Sequence, residues 1–120
     1  MSRILIAEDD LPSRELIREI LEAWGHEVIE AEDGRQALDK TEEMNPELVL
    51  LDIQMPVLDG YAVVCQLRQR ASSASLKVVA LTAFAMQGDR EKVLQSGFDG
   101  YLTKPIDMAA LGKQLQLLLF

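Results

Sequence analysis

Short runs made almost wholly of apolar residues constrain the fold of this chain more than any other feature of its sequence. The clearest are RILIA at residues 3–7, LVLL at residues 48–51 and KVVAL at residues 77–81. Runs of this length between turn residues are typical of strands that are buried on both faces. Such strands occur in parallel sheets that are covered by helices on both sides. The sequence therefore predicts an α/β fold.

Amphipathic segments separate these runs and complete the pattern. The first follows Asp10, which is predicted to be a helix N-cap, and extends to Trp24 before Gly25. Its predicted packed face consists of Leu16, Ile17, Ile20, Leu21 and Trp24. Further strands are predicted at residues 27–31 and 101–103. Further helices are predicted at residues 35–44, from the end of the 52–60 loop to about residue 70, and at residues 89–96 and 108–119.

Five strands that alternate with five helices predict a (βα)5 doubly wound parallel sheet with the flavodoxin-like strand order 2-1-3-4-5. A closed barrel of eight such units would need about twice the length of this chain, which has 120 residues. We therefore predict a single domain over residues 1–120.

The composition argues against several classes of function. Twelve Lys and Arg residues against twenty Asp and Glu residues give a net charge of −8, which disfavours contact with a phosphate backbone. No apolar run approaches the roughly 20 residues that span a bilayer, and the opening MSRILIAEDD turns acidic where a signal peptide would stay apolar. Cys65 is the single cysteine and is predicted to be a packed thiol of the third helix. We expect a soluble cytoplasmic protein that has no direct nucleic-acid partner and no membrane partner.

Charged and hydroxyl side chains stand at the carboxyl ends of the predicted strands. They are Glu8 and Asp9 after the first strand, Asp52 after the third, Thr82 after the fourth and Lys104 after the fifth. In an open α/β sheet the ligand binds beyond the carboxyl ends of the strands, where the strand order reverses. With the order 2-1-3-4-5 the first and third strands are neighbours at that point. The three carboxylates and the lysine are therefore expected to converge.

Taken singly, each of these residues has a simpler interpretation, because acidic residues at strand ends are usually solvated or cap helices. Together they are harder to explain, since two like charges about 5 Å apart repel by roughly 3 kcal/mol at an effective dielectric of about 20. Such a cluster needs a counter-charge, and hard oxygen ligands suit Mg²⁺, with Glu8 and Asp9 holding the metal. The cluster then becomes a phosphoryl-transfer site with Asp52 as the nucleophile. Lys104 and Thr82 are predicted to contact the phosphoryl oxygens.

Four segments carry a resemblance to a known family. They are ILIAEDD at residues 4–10, LVLLDIQMPVLDG at 48–60, VVALTA at 78–83 and GYLTKPI at 100–106. With them the chain resembles the receiver domain of two-component response regulators over essentially its whole length. The resemblance implies that Asp52 is the phosphoacceptor, that Asp9 binds Mg²⁺ directly and that Glu8 binds it through water. It also implies that Asp52 itself and the backbone carbonyl of Gln54 contact the metal.

The same resemblance implies roles for residues beyond the metal ligands. Lys104 and Thr82 would bind the phosphoryl group, and the rotamer of Tyr101 would follow Thr82. The signal would then leave through the face built from the fourth helix, the fifth strand and the fifth helix. Phe84, two residues after Thr82, would shield the phosphoryl group from the hydrolytic water and make it comparatively long-lived.

The segment at residues 81–106 looks like the receivers of phosphorelays and of hybrid histidine kinases. This implies a phosphohistidine donor, either a histidine kinase or a histidine phosphotransfer domain, and leaves the downstream protein open. The last helix, MAALGKQLQLLLF, lacks the arginines that receivers of winged-helix DNA-binding regulators carry there. We expect no enzyme activity beyond self-phosphorylation and self-dephosphorylation.

Three alternatives belong to other classes. An enzyme of the haloacid dehalogenase type also uses an aspartate nucleophile and Mg²⁺, but it needs a second aspartate at the position of Gln54. A flavodoxin-like electron carrier needs a phosphate cradle in the first loop, where Glu8, Asp9 and Asp10 would repel phosphate. A degenerate receiver that acts only as a binding module is disfavoured by the complete set of site residues.

Overall fold

Five short strands form one parallel sheet at the centre of the protein, in a computed structural model that describes residues 2–83 and 89–119. The strands are β1 (Arg3–Ala7), β2 (Glu27–Ala31), β3 (Leu48–Asp52), β4 (Lys77–Thr82) and β5 (Gly100–Thr103). All four neighbouring pairs are parallel, and the order across the sheet is β2-β1-β3-β4-β5. The predicted doubly wound topology with the order 2-1-3-4-5 is therefore confirmed.

The helices alternate with the strands as predicted. They are α1 (Leu11–Ala23), α2 (Gly34–Met44), α3 (Gly60–Gln69), α4 (Asp89–Gln95) and α5 (Met108–Leu119). Asp10, Asp33 and Asp59 cap the first three of them, because each side chain accepts a hydrogen bond from a backbone N–H in the first turn. A short 3₁₀ helix at Ala71–Ser73, in the Ser-rich turn before β4, was not predicted.

Each face of the sheet packs against its own helices. On one face Ile4 and Ile6 of β1 lie in a cluster with apolar residues of α1 and α5. On the other face Leu5 and Ala7 lie with residues of α2, α3 and α4. Successive side chains of a strand point to opposite faces, so a central strand between two helical layers is apolar at almost every position. This is the reason why the short apolar runs predicted the fold.

Three side chains lie in other surroundings than the sequence predicted. The apolar spacing predicts Leu16 and Trp24 on the packed face of the first helix, but they are 49% and 40% exposed. Cys65 is exposed on α3, so the prediction of a packed thiol is wrong. On α3 the buried residues after Gly60 are Val63, Val64 and Leu67. Each residue turns the helix by about 100°, and Cys65 lies past the edge of that buried stripe. Among the helices that the structure describes, none has the length and hydropathy of a membrane span.

Candidate functional site

The carboxylates of Glu8, Asp9 and Asp52 converge because β1 and β3 are neighbours that end at the same edge of the sheet. Ala7 of β1 pairs with Leu51 of β3, so the residues that follow them emerge side by side. One carboxylate oxygen from each of the three residues lies within 4.8 Å of the others. Glu8 and Asp52 are buried, whereas Asp9 is exposed. The cluster therefore has a buried floor and one side open to solvent.

Lys104 supplies the positive charge that this cluster contains. It follows β5, and its backbone N–H donates to the carbonyl of Thr82 on β4 at 2.8 Å. The ammonium donates to Asp52 Oδ2 at 2.8 Å and also forms an ion pair with Glu8 Oε1. The lysine thus bridges the ends of β1 and β3 from the far side of β4.

The electrostatics of the cluster show that its negative charge is only partly balanced. Burial, together with a hydrogen bond to Asp52 and the charge of Asp52, raises the pKa of Glu8 from the ordinary 4.5 to about 7, although Lys104 opposes the shift. Burial opposes ionisation of Lys104 as well, but its bonds to Asp52 and Glu8 raise the pKa of the ammonium above its ordinary value. Lys104 therefore stays charged, and the carboxyl group of Glu8 is the group that resists ionisation.

The donor set fits a small divalent cation. Within the described residues, Glu8 Oε1 is buried, and its contact there is the ion pair with Lys104. A buried carboxylate oxygen can accept more than one partner, so beside Lys104 it has capacity for a further one. A cation held by Glu8, Asp9 and Asp52 would supply one and would leave coordination positions for water and phosphate oxygens, as Mg²⁺ requires.

Gln54 lies just past Asp52, and its backbone N–H donates to Asp52 Oδ1 at 3.0 Å. The bond bends the chain around the Asp52 carboxylate and satisfies the oxygen that does not contact Lys104. The metal contact that the resemblance implies for the Gln54 carbonyl stays a prediction.

Thr82 and Tyr101 connect the cluster to the fourth and fifth strands. Leu81 of β4 pairs with Asp52, so Thr82 lies one residue beyond that pair, and it is buried. Tyr101 pairs with Ala80 and packs, half-buried, against the apolar core on the face of the sheet that carries α4. The switch roles that the resemblance implies for these two residues stay predictions. Phe84 falls outside the described residues, so the shielding role predicted for it stays a prediction.

Comparison with known proteins decides the family. A family model described as a response regulator receiver domain matches residues 4–116. The chain belongs to the response regulator receiver domain family. It is a module of two-component or phosphorelay signalling, and the hypotheses of a dehalogenase-type enzyme and of an electron carrier are set aside. The assignment of residues 1–120 to one domain stays a prediction.

Individual relatives agree with the assignment to the receiver domain family. The receiver domain is 39% identical over 105 residues to the polar-differentiation response regulator DivK of Brucella ovis. The matched residues cover 88% of this chain and 85% of DivK. It is 36% identical to the receiver domain of the sensor histidine kinase PA1611 from Pseudomonas aeruginosa, with a TM-score of 0.90 over 98% and 97% of the two chains. The PA1611 structure has a magnesium ion coordinated in its active-site cleft.

A third relative was crystallised with a partner. The receiver domain of Ssk1 from Saccharomyces cerevisiae is 31% identical to this receiver domain, with a TM-score of 0.88 over 98% of this chain and 88% of that chain. Its structure is a complex with the histidine phosphotransfer protein Ypd1.

Two residues at the site of this receiver domain were not singled out from the sequence. Gly60 begins α3, and a Cβ atom there would lie 2.7 Å from the carbonyl oxygen of Asp52, so a larger residue would displace the end of β3. The Asp-Gly pair after the β3 loop was the available signal. The second is Arg14, whose guanidinium donates to the carbonyl of Glu8 at 2.8 Å. The sequence indicated Arg14 by its spacing, because a charged residue three positions before Ile17 and seven before Leu21 lies on the buried stripe of α1.

Proposed function

We propose that this receiver domain is a phosphoaccepting switch in which Asp52 takes a phosphoryl group from a phosphohistidine donor in the presence of Mg²⁺. The observation that carries the proposal is the position of Asp52. The residue is only 3% exposed, and its carboxylate lies beside Glu8 and Asp9 and is held by Lys104 and by the amide of Gln54. A carboxylate fixed in this way can act as a nucleophile whose product is an aspartyl phosphate.

In the transfer, an Asp52 oxygen forms a bond to phosphorus while the phosphorus–nitrogen bond of the donor breaks, and the imidazole nitrogen keeps the electron pair. Asp52 enters this step already oriented, because both of its oxygens are engaged by Lys104 and Gln54. After the transfer Lys104 donates to one phosphoryl oxygen, which now carries negative charge, and the Thr82 hydroxyl contacts a second phosphoryl oxygen. Mg²⁺ bound by the acidic residues supplies the charge cancellation that phosphoryl transfer needs.

The donor is a histidine kinase or a histidine phosphotransfer domain, a proposal supported by the Ssk1 receiver in its complex with Ypd1. We assign no enzyme activity to the chain beyond its own phosphorylation and dephosphorylation. The output is a protein rather than nucleic acid, since a net charge of −8 disfavours contact with phosphates. Thr82 and Tyr101 carry the signal to the face formed by α4, β5 and α5.

Acetyl phosphate tests the proposal without a partner protein. In the presence of Mg²⁺ it is expected to add one labile phosphoryl group to the wild type, seen by mass spectrometry, and none when the metal is chelated. Asp52→Asn should stay unmodified. Asp10→Asn is the matched control, because Asp10 is a neighbouring carboxylate outside the cluster and asparagine caps α1 equally well. Persistent labelling of Asp52→Asn would refute the assignment.

A further inference from the structure

Arg14 is a buried charged residue that joins the acidic cluster to the edge of the sheet. It lies at the end of the first turn of α1 and is 7% exposed. Its Nε donates to Glu30 Oε1 on β2 at 2.9 Å, and one terminal nitrogen donates to the carbonyl oxygen of Glu8 at 2.8 Å. The other terminal nitrogen lies 3.7 Å from Glu32 Oε1. One guanidinium therefore spans α1, β2 and the loop that follows β1.

The atom that Arg14 contacts on this loop is informative. The carbonyl of Glu8 belongs to the peptide unit that joins Glu8 to Asp9, and a peptide unit is planar. Holding its oxygen fixes the plane from which both carboxylate side chains depart. On the other side of Glu8, its N–H donates to the carbonyl of Ala31 at 3.0 Å. The backbone of Glu8 is thus held in both directions, once by β2 and once by Arg14.

Arg14 is itself held in place by a carboxylate that is shared with Arg18. Glu30 accepts from Arg14 through Oε1 and from Arg18 through Oε2, the latter at 3.1 Å. Arg18 lies one turn further along α1, its side chain is 35% exposed, and its other ion pair is with Glu22. The two arginines share Glu30, but of the two only Arg14 contacts the carbonyl of Glu8.

We infer that Arg14 is a positioning residue, which orients the Glu8–Asp9 peptide so that the two carboxylates present their oxygens to Mg²⁺. The inference rests on the proposed function, since it takes the cluster to be a magnesium site. A positioning role and a purely electrostatic role of Arg14 predict opposite changes in Mg²⁺ affinity when the residue is removed. By charge alone, removing a cation close to the site would strengthen Mg²⁺ binding. By positioning, removing Arg14 weakens Mg²⁺ binding because the ligands lose their preset geometry.

The test measures the affinity of the protein for Mg²⁺ alone, by titration followed through amide resonances or calorimetry, in wild type, Arg14→Met and Arg18→Met. Arg14→Met is expected to bind Mg²⁺ about tenfold more weakly, as is typical when the partner that orients a metal ligand is lost. Arg18→Met removes the same charge and an ion pair with the same Glu30, and it should stay within about twofold of wild type. Equal or tighter binding by a folded Arg14→Met would overturn the inference.

A second variant covers the case in which Arg14→Met does not fold. Arg14→Lys keeps the charge but has no planar fork to bridge Glu8 and Glu30 together, so it should bind Mg²⁺ about threefold more weakly. Wild-type affinity in Arg14→Lys would contradict the inference. Acetyl phosphate labelling of the wild type separates the two proposals. If Asp52 is labelled but neither variant changes the affinity for Mg²⁺, only the inference fails; if the wild type neither binds Mg²⁺ nor is labelled, the proposed function fails too.

Discussion

Replacing Glu8 by glutamine is expected to stabilise the metal-free protein at neutral and alkaline pH. Glu8 is buried beside Asp52, and its pKa of about 7 in the folded protein lies well above the ordinary 4.5. Between these values the folded protein retains a proton that the unfolded chain has lost. The stability associated with that proton is complete below about pH 4.5 and is lost as the pH rises through 7.

The size of the effect follows from the same two values. The difference between 7 and 4.5 corresponds to about 3 kcal/mol of unfolding free energy at a pH above both. Glutamine has the shape of a protonated glutamic acid and carries no charge, so Glu8→Gln avoids this loss. For a domain of this size, about 3 kcal/mol corresponds to a rise in Tm of roughly 10 °C. Below pH 4.5 the difference between variant and wild type should almost vanish.

The assay is thermal or urea unfolding of wild type and Glu8→Gln in a metal chelator, at several pH values between 4 and 8. Glu19→Gln makes the same chemical change on an exposed carboxylate of α1 and should leave Tm within about 2 °C at every pH. Asp52→Asn removes another charge of the cluster and should also raise Tm, by a smaller amount that matches roughly 1 kcal/mol. A Glu8→Gln protein that melts at or below wild type at pH 8, or whose advantage does not change with pH, would refute the reasoning.

Two further predictions concern the phosphorylated state. Beryllofluoride, which stands in for the phosphoryl group, is expected to shift the amide resonances of residues 84–94 and Tyr101 more than those of residues 27–31, and equal shifts would contradict the proposed output face. Phe84→Glu is expected to speed the loss of the phosphoryl group from Asp52 in excess Mg²⁺, since a carboxylate can orient the attacking water. A decay rate no faster than wild type would show that Phe84 is not the shield.

The fold could be predicted because its strongest physical constraint, the burial of the central strands on both faces, is visible in short segments of the sequence. Every residue of β3 from Leu48 to Asp52 is buried, and so is every residue of β4 after Lys77. Except at Asp52 and Thr82, which end these strands at the site, burial on both faces gives an uninterrupted apolar run, whereas a sheet that is open to solvent on one side would show alternation. Helix phase is less strictly encoded. Cys65 and Leu16 are apolar residues next to buried ones, and nothing in the sequence separates them from their packed neighbours.

The site was predictable to the extent that it depends on strand order. Once β1 and β3 are neighbours, the residues at their carboxyl ends must meet, and the structure brings Glu8, Asp9 and Asp52 together accordingly. Arg14 could not be found in this way, because its role depends on one contact between a side chain and a backbone carbonyl across a turn. An arginine in the packed stripe of a helix indicates a buried polar contact, but it does not identify the partner.

The instability of the metal-free cluster and its proposed function have the same cause. Three carboxylates against the single ammonium of Lys104 leave two negative charges when all are ionised. Burial and the neighbouring charge of Asp52 raise the pKa of Glu8, so a proton on Glu8 reduces that excess. A divalent cation removes the excess without a proton. Phosphorylation of Asp52 replaces one negative charge with nearly two, which makes the cluster still harder to hold without the cation. Asp52 is therefore expected to accept a phosphoryl group only when the cluster holds Mg²⁺, and Mg²⁺ is expected to displace the proton of Glu8 as it binds.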